Sequence, residues 1–192
     1  MEKADGRRAR GEATRRLVAT RAAMDATLWG LERTTLGELA ARTGVSKSGI
    51  LTAFGSREGV LEATVAAARE IYLTEVLGPT AGSPAGAARL HAVVDAWLSY
   101  AKRHVFPGGC FLVTTGVEYA GQNGVVADRV RAFKREWLDF LAHHFARAGV
   151  RDPFAAALHF DSVLGGGIST WGLLGEERVL DVAAEAARAL IP

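Results

Sequence analysis

Hydrophobic positions recur at three- and four-residue intervals along most of this chain, and the breaks between the runs predict a succession of helices. The clearest pattern is TTLGELAARTGVSKSGILTAFGSREGV at residues 34–60. Thr34 or Thr35 caps a short helix that carries Leu36, Leu39 and Ala40 on one side, and Glu38 stands three residues after Thr35 as in a capping box. Gly44-Val45 makes a turn, since glycine tolerates the φ values a helix end needs. Ser46 caps a third helix over about Lys47–Phe54, and Ser56 caps a fourth that runs through Leu61 and Val65 to about Glu75. Upstream, a first helix is expected from Gly11 to Trp29, with Leu17, Met24 and Leu28 on one face and Arg21 interrupting it.

The pattern stays helical beyond the loop-like GPTAGSPAGA of residues 78–87. Leu90, Val93, Val94, Trp97 and Leu98 keep a 3.6-residue period, and Pro107-Gly108-Gly109 breaks it. A short apolar stretch covers Cys110–Tyr119, a long amphipathic helix about Val126–Ala148, a helix opened by Pro153 runs to about Leu174, and a last one covers Glu177–Leu190. No strand and no internal repeat is predicted. The fold class is therefore all-α, divided into a basic arm at 1–10 expected to be disordered, a helix-turn-helix unit at 11–60, and a larger helical region at 61–192.

Composition adds a direction to this outline. The 192 residues are 49% hydrophobic, enough for a substantial core, and the net charge is only +2. The charge is uneven: residues 1–60 hold 11 Lys/Arg against 7 Asp/Glu, and residues 61–192 hold 12 against 14. The basic excess lies with the helix-turn-helix, as an electrostatic footprint for DNA should. The single cysteine, Cys110, excludes an intrachain disulfide. The polar N-terminus lacks a secretory signal and no run reaches the ~20 apolar residues of a membrane span, so a cytoplasmic protein with no membrane partner is expected.

Two short helices joined by a glycine turn can lay the second helix in the major groove of DNA. Ser46, Lys47, Ser48, Gly49 and Thr52 lie at the start and on one face of that helix, and Lys47 can reach guanine or phosphate. The alternative for these residues is a capped, solvated helix face. Thr34, Thr35 and Arg57 stand near helix N-termini, where backbone N–H groups and a side chain hold phosphate together. Arg7, Arg8 and Arg10 serve equally as a solvated tail or a DNA-contacting arm.

At these residues the chain resembles the TetR family of bacterial transcription regulators. The resemblance rests on TT-x3-LA-x2-TGVSKSG at 34–49, Phe54 and SREGVLEA at 56–63; VFPGGCF at 105–111, with Glu118-Tyr119 and Trp137, resembles one subgroup. It implies an all-helical homodimer with a DNA-binding domain at 11–60 and a regulatory ligand-binding and dimerisation domain at 61–192, a pseudo-palindromic double-stranded operator, and a repressor released by a small-molecule effector. Leu51 and Ala53 depart from the aromatic and polar residues common in the family, which implies fewer side chains on phosphate.

In the second half, Trp97, Tyr100, Phe111, Thr115, Tyr119, Phe133, Trp137, Phe140 and His144 are candidates to line a pocket for an apolar or aromatic effector, or else plain core. Phe160, Leu164, Trp171, Val179, Val182 and Ala186 are candidates for the dimer interface, because the last two helices are apolar on more than one face. Gly165-Gly166-Gly167 costs its helix roughly 3 kcal/mol against alanine, which close helix approach would offset. Cys110 is either a reactive thiol at a helix start or a small buried hydrophobe. His91, His104, His143 and His144 lack metal-ligand spacing, and no cofactor or enzymatic constellation is found. A second reading keeps a constitutive or thiol-responsive DNA-binding regulator without a pocket.

Overall fold

Helix α1 (Glu2–Trp29) sets the frame on which the rest is assembled. The computed structural model describes residues 2–192, with side chains from Ala9 onward, and the regular elements among them are all helical. The helix begins nine residues before the expected Gly11, so the segment expected as a disordered arm continues it as far back as Glu2; Met1 lies outside the described residues. Glu, Lys, Ala and Arg at 2–10 are good helix formers, which outweigh Asp5 and Gly6. Its buried face is Val18, Ala19, Ala22, Ala23 and Ala26, while Leu17 and Leu28 are about half exposed. Small alanines let neighbouring helices approach, so size rather than hydropathy marks the inner face.

Helices α2 (Leu36–Thr43) and α3 (Lys47–Phe54) follow, each with the cap its sequence calls for. Thr35 accepts a bond from Glu38 N and donates to the Glu38 carboxylate, the reciprocal pair of a capping box. Gly44 is left-handed at φ 72°, and Ser46 accepts from Gly49 N. Val18, Ala22, Leu39, Ile50 and Val60 form a small core of their own, which joins α1, α2 and α3 to the start of α4 (Arg57–Tyr72).

Helix α4 leaves this small core and enters the larger one. It widens into a π-helical stretch at Leu73–Leu77 and then tightens into a 3-10 turn at Gly78–Thr80. Then come α5 (Ala87–Lys102), α6 (Phe111–Glu118), α7 (Val125–Arg147), α8 (Pro153–Leu174) and α9 (Arg178–Ala189). Helix α8 packs between α7 and α9, and α9 returns to α5. The three consecutive glycines of α8, Gly165–Gly167, have separate environments. A Cβ on Gly167 would stand 2.3 Å from the Cβ of Ala183, so this glycine lets α8 and α9 of one subunit touch. Gly166 has nothing within 4 Å and faces outward. No helix among the described residues is long and apolar enough to cross a membrane.

Candidate functional site

The small core points Leu39 and Ile50 inward, which turns the opposite side of α3 to solvent. Ser46, Lys47, Ser48, Leu51 and Thr52 are all exposed there. Lys47 leans over Gly37 of α2, whose missing side chain leaves room for it; a Cβ on Gly37 would lie 3.3 Å from Lys47 Nζ. Among the described residues Lys47 enters no ion pair, so its charge is available to an anion. Gly49 has a local reason to lack a side chain. A Cβ there would meet Ser46 Oγ at 3.1 Å and Val45 at 3.2 Å, so it is the cap itself that leaves no space.

Two of the expected phosphate contacts are otherwise engaged. Thr34 is buried at 8% exposure, and only Thr35 stands at the surface. Arg57 donates to the backbone oxygen of Glu32 and, at 3.0 Å, to its carboxylate. Asp25, buried at 6%, holds Arg42 at 2.7 Å and Arg21 at 3.1 Å, while the Arg42 guanidinium lies 4.1 Å above the Trp29 ring. These cations therefore hold α1, α2 and α4 in register with one another.

The turn between α1 and α2 is also gripped from the other half of the chain. The Glu118 carboxylate, at the end of α6, accepts from Leu31 N at 2.7 Å and Glu32 N at 2.8 Å. The next residue, Tyr119, donates its hydroxyl to Glu32 Oε1 at 2.5 Å. Tyr119, expected in a ligand pocket, thus belongs to this junction. Its hydroxyl, together with Arg57, holds the Glu32 carboxyl below the ordinary 4.5 against the opposing effect of burial. A depressed folded-state value contributes stability above 4.5 that is lost as pH falls through the lowered value. Tyr119→Phe should move the Glu32 titration back towards 4.5, as followed by carboxyl NMR; an unchanged titration would remove Tyr119 from the junction.

The other residues expected to line a pocket fill the core instead. Trp97, Tyr100, Phe111, Thr115, Phe133, Trp137 and His144 are all at most 5% exposed, with Phe140 packed against them. Tyr72 of α4, which the sequence did not single out, is the hub: its ring meets Trp137 at 5.2 Å and both Tyr100 and Phe133 at 5.9 Å, all edge-on. Trp137 Nε1 donates to Asp161 at 2.9 Å, and Thr115 donates back to Phe111 O at 2.7 Å. His144 accepts through Nδ1 from Gly86 N, just before α5, and burial lowers its pKa.

A cleft of about 550 Å³ lies elsewhere, between the end of α1, the α5–α6 connection, α6 and α8. Leu28, His104, Pro107, Cys110, Val113, Thr114, Ile168 and Trp171 line it. His104 takes a left-handed φ of 51° and sets its ring 4.8 Å from that of Trp171. Cys110 precedes α6, but burial pushes its thiol up, so it is protonated at neutral pH and a weak nucleophile. Among the described residues no group of three or more His, Cys, Asp or Glu is placed to hold a metal.

Trp171, Phe160 and Leu164, expected at the dimer interface, face the subunit's own core at 7%, 0% and 3% exposure. Phe160 packs on Phe145 at 5.7 Å. Val182 and Ala186 are exposed and Val179 is half-buried. Leu158 and Leu173, at 44% and 84% exposure, carry the outward face of α8 instead.

Comparison with known proteins agrees with this architecture. The family model described as bacterial regulatory proteins, tetR family, matches residues 12–64, and the one described as Tetracyclin repressor-like, C-terminal domain, matches 86–187. A TetR transcriptional regulator from Chloroflexus aurantiacus is similar at 26% identity and TM-score 0.83, with 94% of each chain covered. SCO4454, a TetR-family regulator from Streptomyces coelicolor, is similar at 22% identity and TM-score 0.78, covering 93% of this chain and 94% of its own. AibR, solved with isovaleryl coenzyme A and operator DNA, shares the fold at 19% identity and TM-score 0.70, covering 92% and 97%. A comparison with curated proteins yields no match. With a reading head matched over 12–64 and a regulatory half matched over 86–187, the chain belongs to the TetR family of DNA-binding transcriptional regulators, and it is not an enzyme.

Proposed function

We propose that this regulator is a dimeric repressor that leaves its operator when a small apolar or aromatic molecule enters the cleft between α1, α6 and α8. The observation that carries this reading is the position of that cleft. Its walls include Leu28 at the end of α1, Val113 and Thr114 of α6, and Ile168 of α8. A ligand there touches the reading head, the helix that grips it and the helix that faces outward. Its volume of about 550 Å³ falls within the usual range of roughly 300–1,000 Å³ for small-molecule sites, and its walls are mostly apolar with a few polar groups. AibR, of the same fold, is described with both an acyl thioester and operator DNA. The ligand acts by its differential affinity for the two arrangements.

The operator contacts proposed are Ser46, Lys47, Ser48, Thr52 and the surface-facing Thr35, with Gly49 keeping the cap compact. Lys47→Ala should weaken specific binding by about 1–3 kcal/mol if Lys47 reads a base; if it holds phosphate, affinity falls alike on all sequences and the salt slope drops by about one. Mobility shift and salt titration on the DNA upstream of the gene distinguish the two. Unchanged affinity and slope would take Lys47 out of the interface. Thr114→Trp, which fills the cleft, should keep operator binding while abolishing release by any compound in an apolar panel that releases the wild type; retained release would place the effector elsewhere.

The interlocked aromatic core favours a second reading, a constitutive regulator with no effector. The raised Cys110 thiol speaks against its thiol-responsive form. A panel that neither stabilises the wild-type protein nor releases DNA would support the constitutive form.

A further inference from the structure

We propose that Glu118 is a positioning residue for operator binding: its carboxylate, seated on the two backbone N–H groups of the α1–α2 turn, holds the reading head in the orientation that fits DNA. The inference rests on the DNA-binding reading above and deepens it. It starts from an unusual partnership. Leu31 N and Glu32 N belong to a turn, not to a helix or sheet ladder, and both are satisfied by one side chain 86 and 87 residues away. Both carboxylate oxygens are used, one for each N–H, so the grip fixes the rotation of the turn as well as its distance.

The turn is shaped to admit that carboxylate. Gly30 sits at φ +90°, and a Cβ on it would lie 2.9 Å from Glu118 Oε1. Any larger residue there would both strain the backbone and push the carboxylate away. A second bond strengthens the same point. Tyr119 donates to Glu32, and Glu32 in turn receives Arg57 from the first residue of α4. Through two adjacent residues, the end of α6 thus touches the connection that precedes α2 and, by way of Glu32, is linked to the helix that follows α3. The reading helix α3 lies between these two anchors in sequence; it shares its small core with the start of α4, while Leu31 of the gripped turn is buried in the large core.

The small core of five buried residues has little surface with which to set its own tilt against the large core. A charge-assisted pair at its edge therefore has leverage on where α3 points. Release of the pair leaves the head folded but free to swing, which dilutes the fraction of dimers with both heads in register with an operator.

The test uses the full-length protein, its upstream DNA, and two readouts on wild type, Glu118→Ala and Glu118→Gln. Amide hydrogen exchange follows Leu31 and Glu32 against Leu39 and Ile50 in the same head; operator affinity is measured well below the melting temperature of each variant. Glu118→Ala is expected to speed exchange at Leu31 and Glu32 alone and to weaken operator binding by about tenfold, within the ordinary range of intramolecular coupling. Glu118→Gln keeps one acceptor oxygen and should fall between. Faster exchange at 31 and 32 with unchanged operator affinity would overturn the positioning role. Equal acceleration at Leu39 and Ile50 would also overturn it, showing a merely structural glutamate. Wild-type protein that fails to bind its upstream DNA would instead count against the proposed operator, a separate failure.

Discussion

Leu158→Asp combined with Val182→Asp is expected to leave a folded monomer that no longer retains operator DNA. Both side chains are exposed in the single subunit, at 44% and 53%, so their removal opens no cavity in its core. They lie on an outward stripe at helical spacing: Leu158, Ser162, Gly166, Ser169 and Leu173 on α8, with Val182 and Ala186 on α9 and Leu190 just after it. Small residues in the middle of that stripe permit two helices of each subunit to approach closely in a four-helix contact. A carboxylate buried there without a partner is costly and should split the pair. Each half then meets DNA through one reading head, and the loss of linkage lowers affinity by about 10²–10⁴-fold. Sedimentation should show the mass of one chain with an unchanged helical spectrum. A dimer that survives both charges would move the interface off α8 and α9. Gly166→Ala gives a finer measurement on the same face. Nothing within the subunit opposes the methyl, so a free helix would gain roughly 0.5–1 kcal/mol, whereas a tightly packed dimer would dissociate more readily.

Gly108→Ala is expected to be the most damaging single methyl in the molecule. The new Cβ would lie 1.9 Å from the Thr27 carbonyl oxygen and 2.8 Å from Leu28 N, both backbone atoms of α1 that cannot rotate away. The connection is already pinned there, because Gly108 N donates to Thr27 Oγ1 at 3.0 Å and that hydroxyl donates to Met24 O at 2.8 Å. The clash must lift the α5–α6 connection from α1, at a cost of about 3 kcal/mol, the upper end for overpacking. For a chain of this size the melting temperature should fall by roughly 6–12 °C. Gly116→Ala is the control: it adds a methyl to exposed helix in α6 with nothing within 4 Å, and should be neutral or stabilising by up to ~1 kcal/mol. Equal melting of the two variants would mean that the connection does not rest on α1.

The caps and turns of the reading head were legible because each depends on residues within four positions. Thr35 with Glu38, Gly44, Ser46 with Gly49, and Ser56 with Gly59 all take the local bonds that their spacing demands. The face of α1 was misread because hydropathy was weighed and size was not. Leu17 and Leu28 carry the period, yet alanines fill the contact with α4. The start of α1 was misread for a related reason: charge suggested a free arm where the intrinsic propensity of residues 2–10 favours helix.

The sequence by itself determined the helices, their order, the helix-turn-helix and the family, since these follow from period, capping chemistry and short-range motif. Only the tertiary structure decided what each aromatic and each charge does. Trp137 and Tyr100 could equally have walled a cavity; the arrival of Tyr72 from α4 makes them core. Arg57 could have met phosphate; Glu32, 25 residues away, receives it instead. Trp171 shows the apolar character of an interface residue, but only the approach of the α5–α6 connection turns it inward. Glu118 meets Leu31 and Glu32 only because α6 is laid across the end of α1, and no interval of residues along the chain encodes that meeting. Local bonds are written in neighbouring residues, whereas partners across the fold are chosen by the packing of helices whose faces are each compatible with several neighbours.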